Sequence, residues 1–367
     1  MIRHLYVHIP FCPKVCPYCS FYKEASDRNK TQRFLDAVLR EIELETARHP
    51  VQPETIFFGG GTPSALSTRQ LEYLLSGMRE RLDLSHLSEW TLEMNPATVS
   101  LEKAAALRQL GVNRISMGVQ SWDAGLLKVL GRVHSAAQAE RSYEILREAG
   151  FTNINLDLIF AVPTQTREQW RASVEKTLSL APDHISAYCL TYEEDTAFYE
   201  KFQSGEFTQD LAWDADLFEA TIDLMGGAGY EQYEISNYAR PGRECRHNLA
   251  YWLGSDYLGI GPSAFSTVGT RRWQNIVDTA TYSQRVLDEG ASPHAFTEQL
   301  DTPTRRSEAI AFGLRTSHGV PLDLLTPWDE IVREYLEEGF FETHSSRIRL
   351  TRKGKMVADT LAGAFLS

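Results

Sequence analysis

The sequence predicts an α/β protein with a partial (β/α)6 barrel, a C-terminal α+β extension and a small winged-helix-like domain at the end. Three observations support this prediction. From residue 3 to about 190, short apolar runs alternate with longer amphipathic runs, as in repeated strand–helix units. Polar residues recur on one face of several of these runs. After about residue 200 the alternation stops, so we expect three regions, 1–205, 206–300 and 301–367.

Six apolar runs are predicted strands, and each is followed by helical sequence. They are residues 4–9, 55–60, 89–95, 114–120, 154–160 and 184–190. Between the first two strands, an apolar helical face is formed by Phe34, Leu35, Val38, Leu39 and Ile42. The next helix should begin after a capping box of Ser67 and Gln70. Six such units could form an open doubly wound sheet or an incomplete barrel.

Polar residues inside the strands favour the curled sheet over the flat one. A parallel sheet covered by helices is apolar on both faces. Here polar pairs of equal parity occur in four strands: Tyr6 with His8, Glu93 with Asn95, Ser116 with Gln120, and Asn155 with Asp157. Most lie toward the carboxyl ends of their strands, where a barrel builds its site.

After about residue 200 the sequence no longer alternates between predicted strands and helices. A helix ended by glycine is predicted over "QDLAWDADLFEATIDLMGGAG", and the glycine-rich "YLGIGPSAFSTVG" indicates a tight turn or a nearby ligand. From about residue 303, two helices, a hairpin around "RIRL" and a final helix have winged-helix character.

Composition and charge indicate where the protein is located and which partners it is expected to lack. The chain is 43% hydrophobic and 23% charged, and it contains no apolar run of 18 residues and no signal-peptide pattern at its start, so we expect a cytoplasmic protein. Its formal net charge of −12 opposes binding to phosphate backbones, and we expect no nucleic-acid partner.

Three of the five cysteines, Cys12, Cys16 and Cys19, lie within eight positions after the first strand. An odd number of cysteines in this arrangement favours a metal or redox site over disulfides. Zinc would need a fourth Cys or His ligand. A [4Fe-4S] cluster held by three thiolates leaves one iron free for a substrate or cofactor, and we favour it over zinc. Cys189 stands alone and is interpreted as a buried apolar residue of a strand.

A glycine run, "FFGGGTP", ends the second predicted strand. It is neither a Walker A loop nor a dinucleotide-binding motif. Either it is a tight turn, or its lack of side chains lets backbone groups bind a ligand beside the cysteine loop.

Taken together, the motifs resemble a known family over nearly the whole chain. They are "YVHIPFCPKVCPYCSF", "FFGGGTP", "LEMNP", "GVQSWD", "GR" at 131–132 and "NLDLIFAVP". In this order they resemble radical S-adenosylmethionine (SAM) enzymes of the anaerobic coproporphyrinogen oxidase superfamily, and within it the HemW group.

The resemblance implies specific roles for these residues. Cys12, Cys16 and Cys19 would ligate a [4Fe-4S] cluster whose fourth iron is chelated by SAM. The expected SAM contacts are Tyr6 and Tyr18 beside the cofactor, Gly60, Gly61 and Thr62 at its methionine end, and Glu93, Gln120, Arg132 and Asp157 at its polar and ribose groups.

The segment "HNLAYW", residues 247–252, is similar to the H-N-x-x-Y-W signature of the HemW group. In a helix, His247 and Tyr251 lie on one face, and a neutral imidazole suits haem iron. A core or surface histidine is the alternative interpretation. The sequence contains no C-x-x-C-H motif, which would indicate covalent attachment of haem.

The resemblance implies a haem chaperone that transfers haem to acceptor haemoproteins such as respiratory enzymes. Its expected partners include an electron donor such as flavodoxin or an NADH-dependent reductase, and it would touch membrane haemoproteins peripherally. The alternative is an enzyme: a coproporphyrinogen dehydrogenase that decarboxylates propionates, or a radical SAM methylase or cyclopropanase. Phe21 stands where the decarboxylase has a further cysteine, and the first strand begins near residue 3 without that enzyme's amino-terminal extension.

Overall fold

A computed structural model describes residues 1–25 and 28–366. The strands, in chain order, are β1 (Ile2–Ile9), β2 (Phe11–Cys12), β3 (Glu24–Ala25), β4 (Val51–Gly60), β5 (Glu89–Met94), β6 (Arg114–Gln120), β7 (Ile154–Phe160), β8 (His184–Cys189), β9 (Glu231–Glu234), β10 (Asn237–Ala239), β11 (Tyr257–Ile260), β12 (Phe265–Val268), β13 (Arg271–Asn275), β14 (His294–Gln299), β15 (Val320–Pro321), β16 (Phe341–His344) and β17 (Arg347–Leu350). No described helix is both long and apolar enough to cross a membrane.

The α-helices are α1 (Arg28–Thr46), α2 (Thr68–Arg81), α3 (Leu101–Leu110), α4 (Ala124–Val129), α5 (Ala136–Glu148), α6 (Arg167–Ser179), α7 (Ala197–Gln203), α8 (Leu211–Gly227), α9 (Arg246–Trp252), α10 (Thr279–Leu287), α11 (Thr302–Leu314), α12 (Asp329–Glu337), α13 (Arg352–Lys355) and α14 (Ala358–Gly363). Short 3-10 helices cover Pro63–Ala65, Pro96–Thr98 and Leu322–Trp328.

The central sheet has the strand order β1-β4-β5-β6-β7-β8, and all of these neighbours are parallel. These are the six predicted strands, and helical segments connect them. One face of β4 to β8 lines a single cavity, so the sheet curls around an interior instead of lying flat. The predicted partial (β/α)6 barrel is therefore confirmed.

The helices pack as their sequence patterns indicate. The five apolar residues predicted for the α1 face are all buried. The predicted capping box at α2 is present, with the Gln70 amide donating to Ser67 Oγ at 3.2 Å and the Ser67 amide donating to Gln70 Oε1 at 2.9 Å. The same device begins α5 and α6.

Residues 206–300 add strands to both edges of the barrel sheet. Strand β11 pairs in parallel with β1 and leads into the antiparallel strands β12, β13 and β14, while β10 pairs with β8 at the other edge. The fully buried Glu41 of α1 ties the first of these additions to the barrel. It accepts hydrogen bonds from the Tyr282 hydroxyl (2.5 Å), Asn275 Nδ2 (2.6 Å) and the Gly261 amide (2.8 Å). The glycine-rich segment noted in the sequence forms β11, a tight turn at Gly261 and β12, which pairs antiparallel with β11.

The last region has its own apolar cluster, which includes Ile310, Leu314, Ile348 and Phe365. Its sheet has the order β15-β17-β16, and β16 and β17 form the hairpin predicted around "RIRL". The predicted final helix is divided into α13 and α14. Two helices packed on a small sheet that ends in a hairpin form the expected winged-helix-like arrangement.

A candidate cofactor site at the carboxyl end of the barrel

A cavity of about 460 Å³ opens at the carboxyl ends of β4 to β8. Eleven of the thirteen predicted site residues line it: Cys12, Cys16, Tyr18, Cys19, Gly60, Gly61, Thr62, Glu93, Gln120, Arg132 and Asp157. Tyr6 and His247 do not. Residues spread over about 145 positions of sequence are thus brought to one place, because the carboxyl ends of all these strands meet there.

The glycine run holds the cysteine loop against the end of β4. The Gly61 amide donates to the Ile9 carbonyl at 2.8 Å, and the Thr62 amide donates to the Phe11 carbonyl at 2.9 Å. A methyl group on Gly61 would lie 2.7 Å from the Pro10 carbonyl carbon. The glycine is therefore needed for close approach of two backbones, and it sets the position of Cys12.

The three cysteines lie on one side of the cavity. Cys12 Sγ is 3.5 Å from Thr62 Oγ1, and Arg132 Nη1 is 3.6 Å from Cys16 Sγ. Burial raises the pKa of the Cys12 and Cys19 thiols. Among the described residues, no three His, Cys, Asp or Glu side chains are placed to hold a single metal ion.

Two carboxyl groups face the cavity from β5 and β7. Burial, reinforced by the charge of Asp157, raises the pKa of Glu93 to about 8, and burial also raises the pKa of Asp157. Asn155 holds Asp157 in place, because Asn155 Nδ2 donates to Asp157 Oδ1 (2.7 Å), to Ser116 Oγ (2.8 Å) and to Ser186 Oγ (2.9 Å). A cation bound here would favour the ionised form of both carboxyls.

Gln120 and Arg132 carry buried polar atoms that lack a hydrogen-bond partner in the part of the chain that the structure describes. These atoms are Gln120 Oε1 and Arg132 Nε. Gln120 has a φ of 67° and follows a register shift between β6 and β7, whereas Arg132 Nη2 donates to the Gly118 carbonyl at 2.7 Å. An unsatisfied buried group and a strained backbone at one cavity wall are features of a ligand site.

Tyr6 lies behind the cavity wall. Its ring stacks on Phe57 with the ring centroids 6.3 Å apart, and Phe57 is the residue that lines the cavity. The Tyr6 hydroxyl is hydrogen-bonded to His8 Nδ1 at 3.1 Å. Tyr6 itself does not line the cavity, whereas Phe57, on which it stacks, does.

His247 lies in the floor of the barrel with only 1% of its surface exposed. Its Nδ1 is hydrogen-bonded to Thr55 Oγ1 at 2.8 Å and its Nε2 to the Tyr251 hydroxyl at 3.0 Å. Burial lowers its pKa to about 3, so the imidazole is neutral. Both ring nitrogens are engaged, and neither is free to coordinate iron in this arrangement.

Several further cavity residues were not identified from the sequence. They include Arg114, Ser186, Tyr188, Cys189, Asn237 and Asn248. Cys189, interpreted above as a buried apolar residue, is only half-buried and lies at the cavity wall. His184, Ser186 and Tyr188 alternate along β8, and this equal parity could have identified Ser186 and Tyr188 as cavity residues. Asn237 gave no local signal, and Asn248 lies in the "HNLAYW" segment but was given no role there. The pairing of β10 and the packing of α9 bring these two residues to the cavity.

Comparison with known proteins agrees with this geometry. The family model described as the Radical SAM superfamily matches residues 6–177, and the model described as the HemN C-terminal domain matches residues 300–357.

Curated relatives extend over the full chain. A protein named heme chaperone HemW from Bacillus subtilis is 36% identical, covering 100% of this chain and 99% of its own length. The protein of the same name from Escherichia coli is 34% identical over 99% of this chain and 98% of its own. Among solved structures, the E. coli coproporphyrinogen III oxidase HemN, described as a radical SAM enzyme, matches with a TM-score of 0.86 and 25% identity, covering 100% of this chain and 90% of that chain.

Proposed function

We propose, because this chain belongs to the HemW family of the radical SAM superfamily, that it is a haem chaperone, which binds haem and transfers it to acceptor haemoproteins. The observation that carries this proposal is the full-length similarity to proteins named heme chaperone HemW. The proposal includes the division into a radical SAM core (1–205), an extension with the H-N-x-x-Y-W motif (206–300) and a carboxyl-terminal domain (301–367).

In this proposal Cys12, Cys16 and Cys19 hold a [4Fe-4S] cluster, and SAM occupies the cavity beside it. When bound, the cluster would supply the electron that cleaves SAM to methionine and a 5′-deoxyadenosyl radical. The unpartnered Gln120 Oε1 and Arg132 Nε are available to the cofactor's polar groups.

The carboxyls of Glu93 and Asp157 suit the positive charge of a sulfonium cofactor. Both face the cavity, and both have a raised pKa in the absence of a cation. Tyr18 would pack beside the cofactor directly, and Tyr6 would support it through Phe57.

Haem ligation by His247 requires a rearrangement of α9. The hydrogen bonds to Thr55 and Tyr251 must open before a ring nitrogen can reach iron. The neutral imidazole is already in the ligating protonation state. The proposed exchange is cytoplasmic, with an electron donor such as flavodoxin or an NADH-dependent reductase, acceptors such as respiratory enzymes, and peripheral contact with membrane haemoproteins.

The second candidate is oxidative decarboxylation of a porphyrinogen, which the TM-score of 0.86 with HemN favours. Phe21 argues against it. This side chain is 65% exposed and lines the mouth of the cavity at the position where the decarboxylase has a further cysteine.

The two candidates are separated by one comparison on the anaerobically reconstituted protein. Haem is titrated and followed by its Soret absorption, and separately coproporphyrinogen III is supplied with SAM and a reductant. Stoichiometric haem binding that is lost in His247→Ala, without decarboxylated product, supports the chaperone. Formation of protoporphyrinogen would contradict it. His134→Ala is the matched control, because His134 is also buried with a lowered pKa but its Nε2 is hydrogen-bonded to the Val119 carbonyl of β6 at 3.1 Å and not to α9.

The cluster is tested by Cys16→Ala. We expect this variant to lack the brown iron–sulfur absorption after reconstitution, because three thiolates are needed to hold the cluster. A colourless wild-type protein that purifies with zinc would overturn the iron–sulfur assignment.

A further inference from the structure

A second cavity, of about 220 Å³, lies at the opposite end of the barrel. Its walls come from the residues that precede or begin β5, β6 and β7 and from the segment that leads into α9. Arg108, Arg243 and Arg246 line it together with Asn153 and Glu89. We refer to it as the arginine pocket.

Among the described residues no carboxylate neutralises these arginines, although Arg108 Nε donates to the Gly150 carbonyl at 3.3 Å. Many arginines of this acidic chain form ion pairs, such as Arg147 with Asp183 at 2.7 Å and Arg352 with Asp223 at 2.5 Å. In contrast, within the residues that the structure describes, neither Arg108, Arg243 nor Arg246 lies within ion-pair distance of a carboxylate.

The acidic residues of the pocket are already engaged. Glu89 Oε2 accepts a hydrogen bond from the Arg246 amide at 2.9 Å, and its Oε1 accepts one from the His247 amide at 3.1 Å. Glu244 Oε1 accepts a hydrogen bond from the Gly242 amide at 3.3 Å. Three arginines against two glutamates still give the pocket a formal net charge of +1 on a chain whose formal net charge is −12.

We propose that the arginine pocket binds a carboxylate group, and that this group is a propionate of haem. Guanidinium groups recognise planar carboxylates through paired hydrogen bonds, and such charge-assisted bonds are strong. The pocket's lining is largely polar, so it recognises a charged group and leaves the apolar body of the ligand outside. The choice of haem rests on the proposed function, and Arg246 directly precedes His247 in α9.

This placement gives α9 two contacts with one ligand. The propionates would dock on the outer side of the barrel floor while α9 is still in place. They would lie beside Glu89, whose hydrogen bonds hold the amino end of α9.

The test compares haem with its dimethyl ester, in which both propionates are esterified, on the reconstituted full-length protein. The variant is Arg243→Gln with Arg246→Gln, and the control is Arg69→Gln, an exposed arginine of α2. We expect haem affinity to fall by about tenfold per guanidinium, each about 1.4 kcal/mol. The ester should bind the wild type weakly and be unaffected by the substitutions. Since these guanidinium groups form no ion pairs, the melting temperature should not change.

Equal affinity for haem and its ester, with no effect of the double substitution, would overturn the pocket while leaving haem binding through His247 in place. If the wild type binds neither porphyrin, the proposed function fails instead. Calorimetry with succinate then tests whether the arginine pocket binds carboxylates. If succinate binds the wild type but not the double variant, the pocket is a carboxylate site whose ligand is a free dicarboxylate. If succinate does not bind the wild type, the site is refuted.

Discussion

Gly131→Ala tests whether the loop after α4 positions the cysteine loop. Gly131 has a φ of +68°, and a methyl group at this position would lie 2.6 Å from Pro17 Cδ and 3.3 Å from its Cγ. Pro17 lies between Cys16 and Cys19, and the next residue, Arg132, contacts Cys16 Sγ. The rigid proline ring cannot rotate away, so the added methyl should displace the loop that carries two of the three thiols.

Gly205→Ala is the matched control. Gly205 follows α7 with a φ of +76°, and no described atom lies within 4 Å of a methyl group there. Both variants force alanine into the left-handed region, which costs about 1 to 2 kcal/mol. Only Gly131→Ala adds a steric clash, which costs about 1 to 3 kcal/mol more.

Urea denaturation of the reduced apoproteins measures the free energy of unfolding, and iron and sulfide analysis after anaerobic reconstitution measures cluster content. We expect Gly205→Ala to keep the wild-type iron content and Gly131→Ala to lose both additional stability and iron. If the two variants are equally destabilised and equally loaded with iron, the contact between Gly131 and Pro17 does not position the cluster ligands, and the reasoning is refuted.

Three further predictions address buried polar groups. Burial raises the pKa of Glu41 from 4.5 to about 8, so the native state keeps a proton that the unfolded chain releases. The free energy of unfolding should therefore fall as pH rises from about 5 to 8, and Glu41→Gln should reduce that fall in urea titrations; parallel pH profiles would contradict this. Gln120→Gly removes the strain of a positive φ and should raise the free energy of unfolding by about 1 kcal/mol, yet weaken SAM binding in calorimetry; unchanged SAM affinity would count against the site. Asn155→Ala leaves Ser116, Ser186 and His184 without their shared partner and should lower the free energy of unfolding by about 2 kcal/mol or more; a loss below about 0.5 kcal/mol in urea denaturation would show that the network is not needed for stability.

The sequence alone predicted features that depend on neighbouring residues. The bounds of β6 and β7 agree with the predicted 114–120 and 154–160, because each strand is a short, largely buried run that is visible in the local sequence. The capping box of Ser67 and Gln70 was also predictable, because it joins residues only three positions apart. Equal parity of the polar pairs in β5, β6 and β7 was enough to predict that Glu93, Gln120 and Asp157 would share one side of the sheet.

Only the tertiary structure decided what depends on contacts between distant parts of the chain. The pairing of β11 with β1 and the packing of α9 against β4 join residues about 190 to 250 positions apart, and no periodicity encodes such partners. This packing places Tyr6 behind Phe57, occupies both nitrogens of His247 and assembles the arginine pocket from separate segments. The motifs determined which chemical groups are available, and long-range packing determined which of them face a ligand, because a side chain's neighbours are set by strand pairing and helix docking.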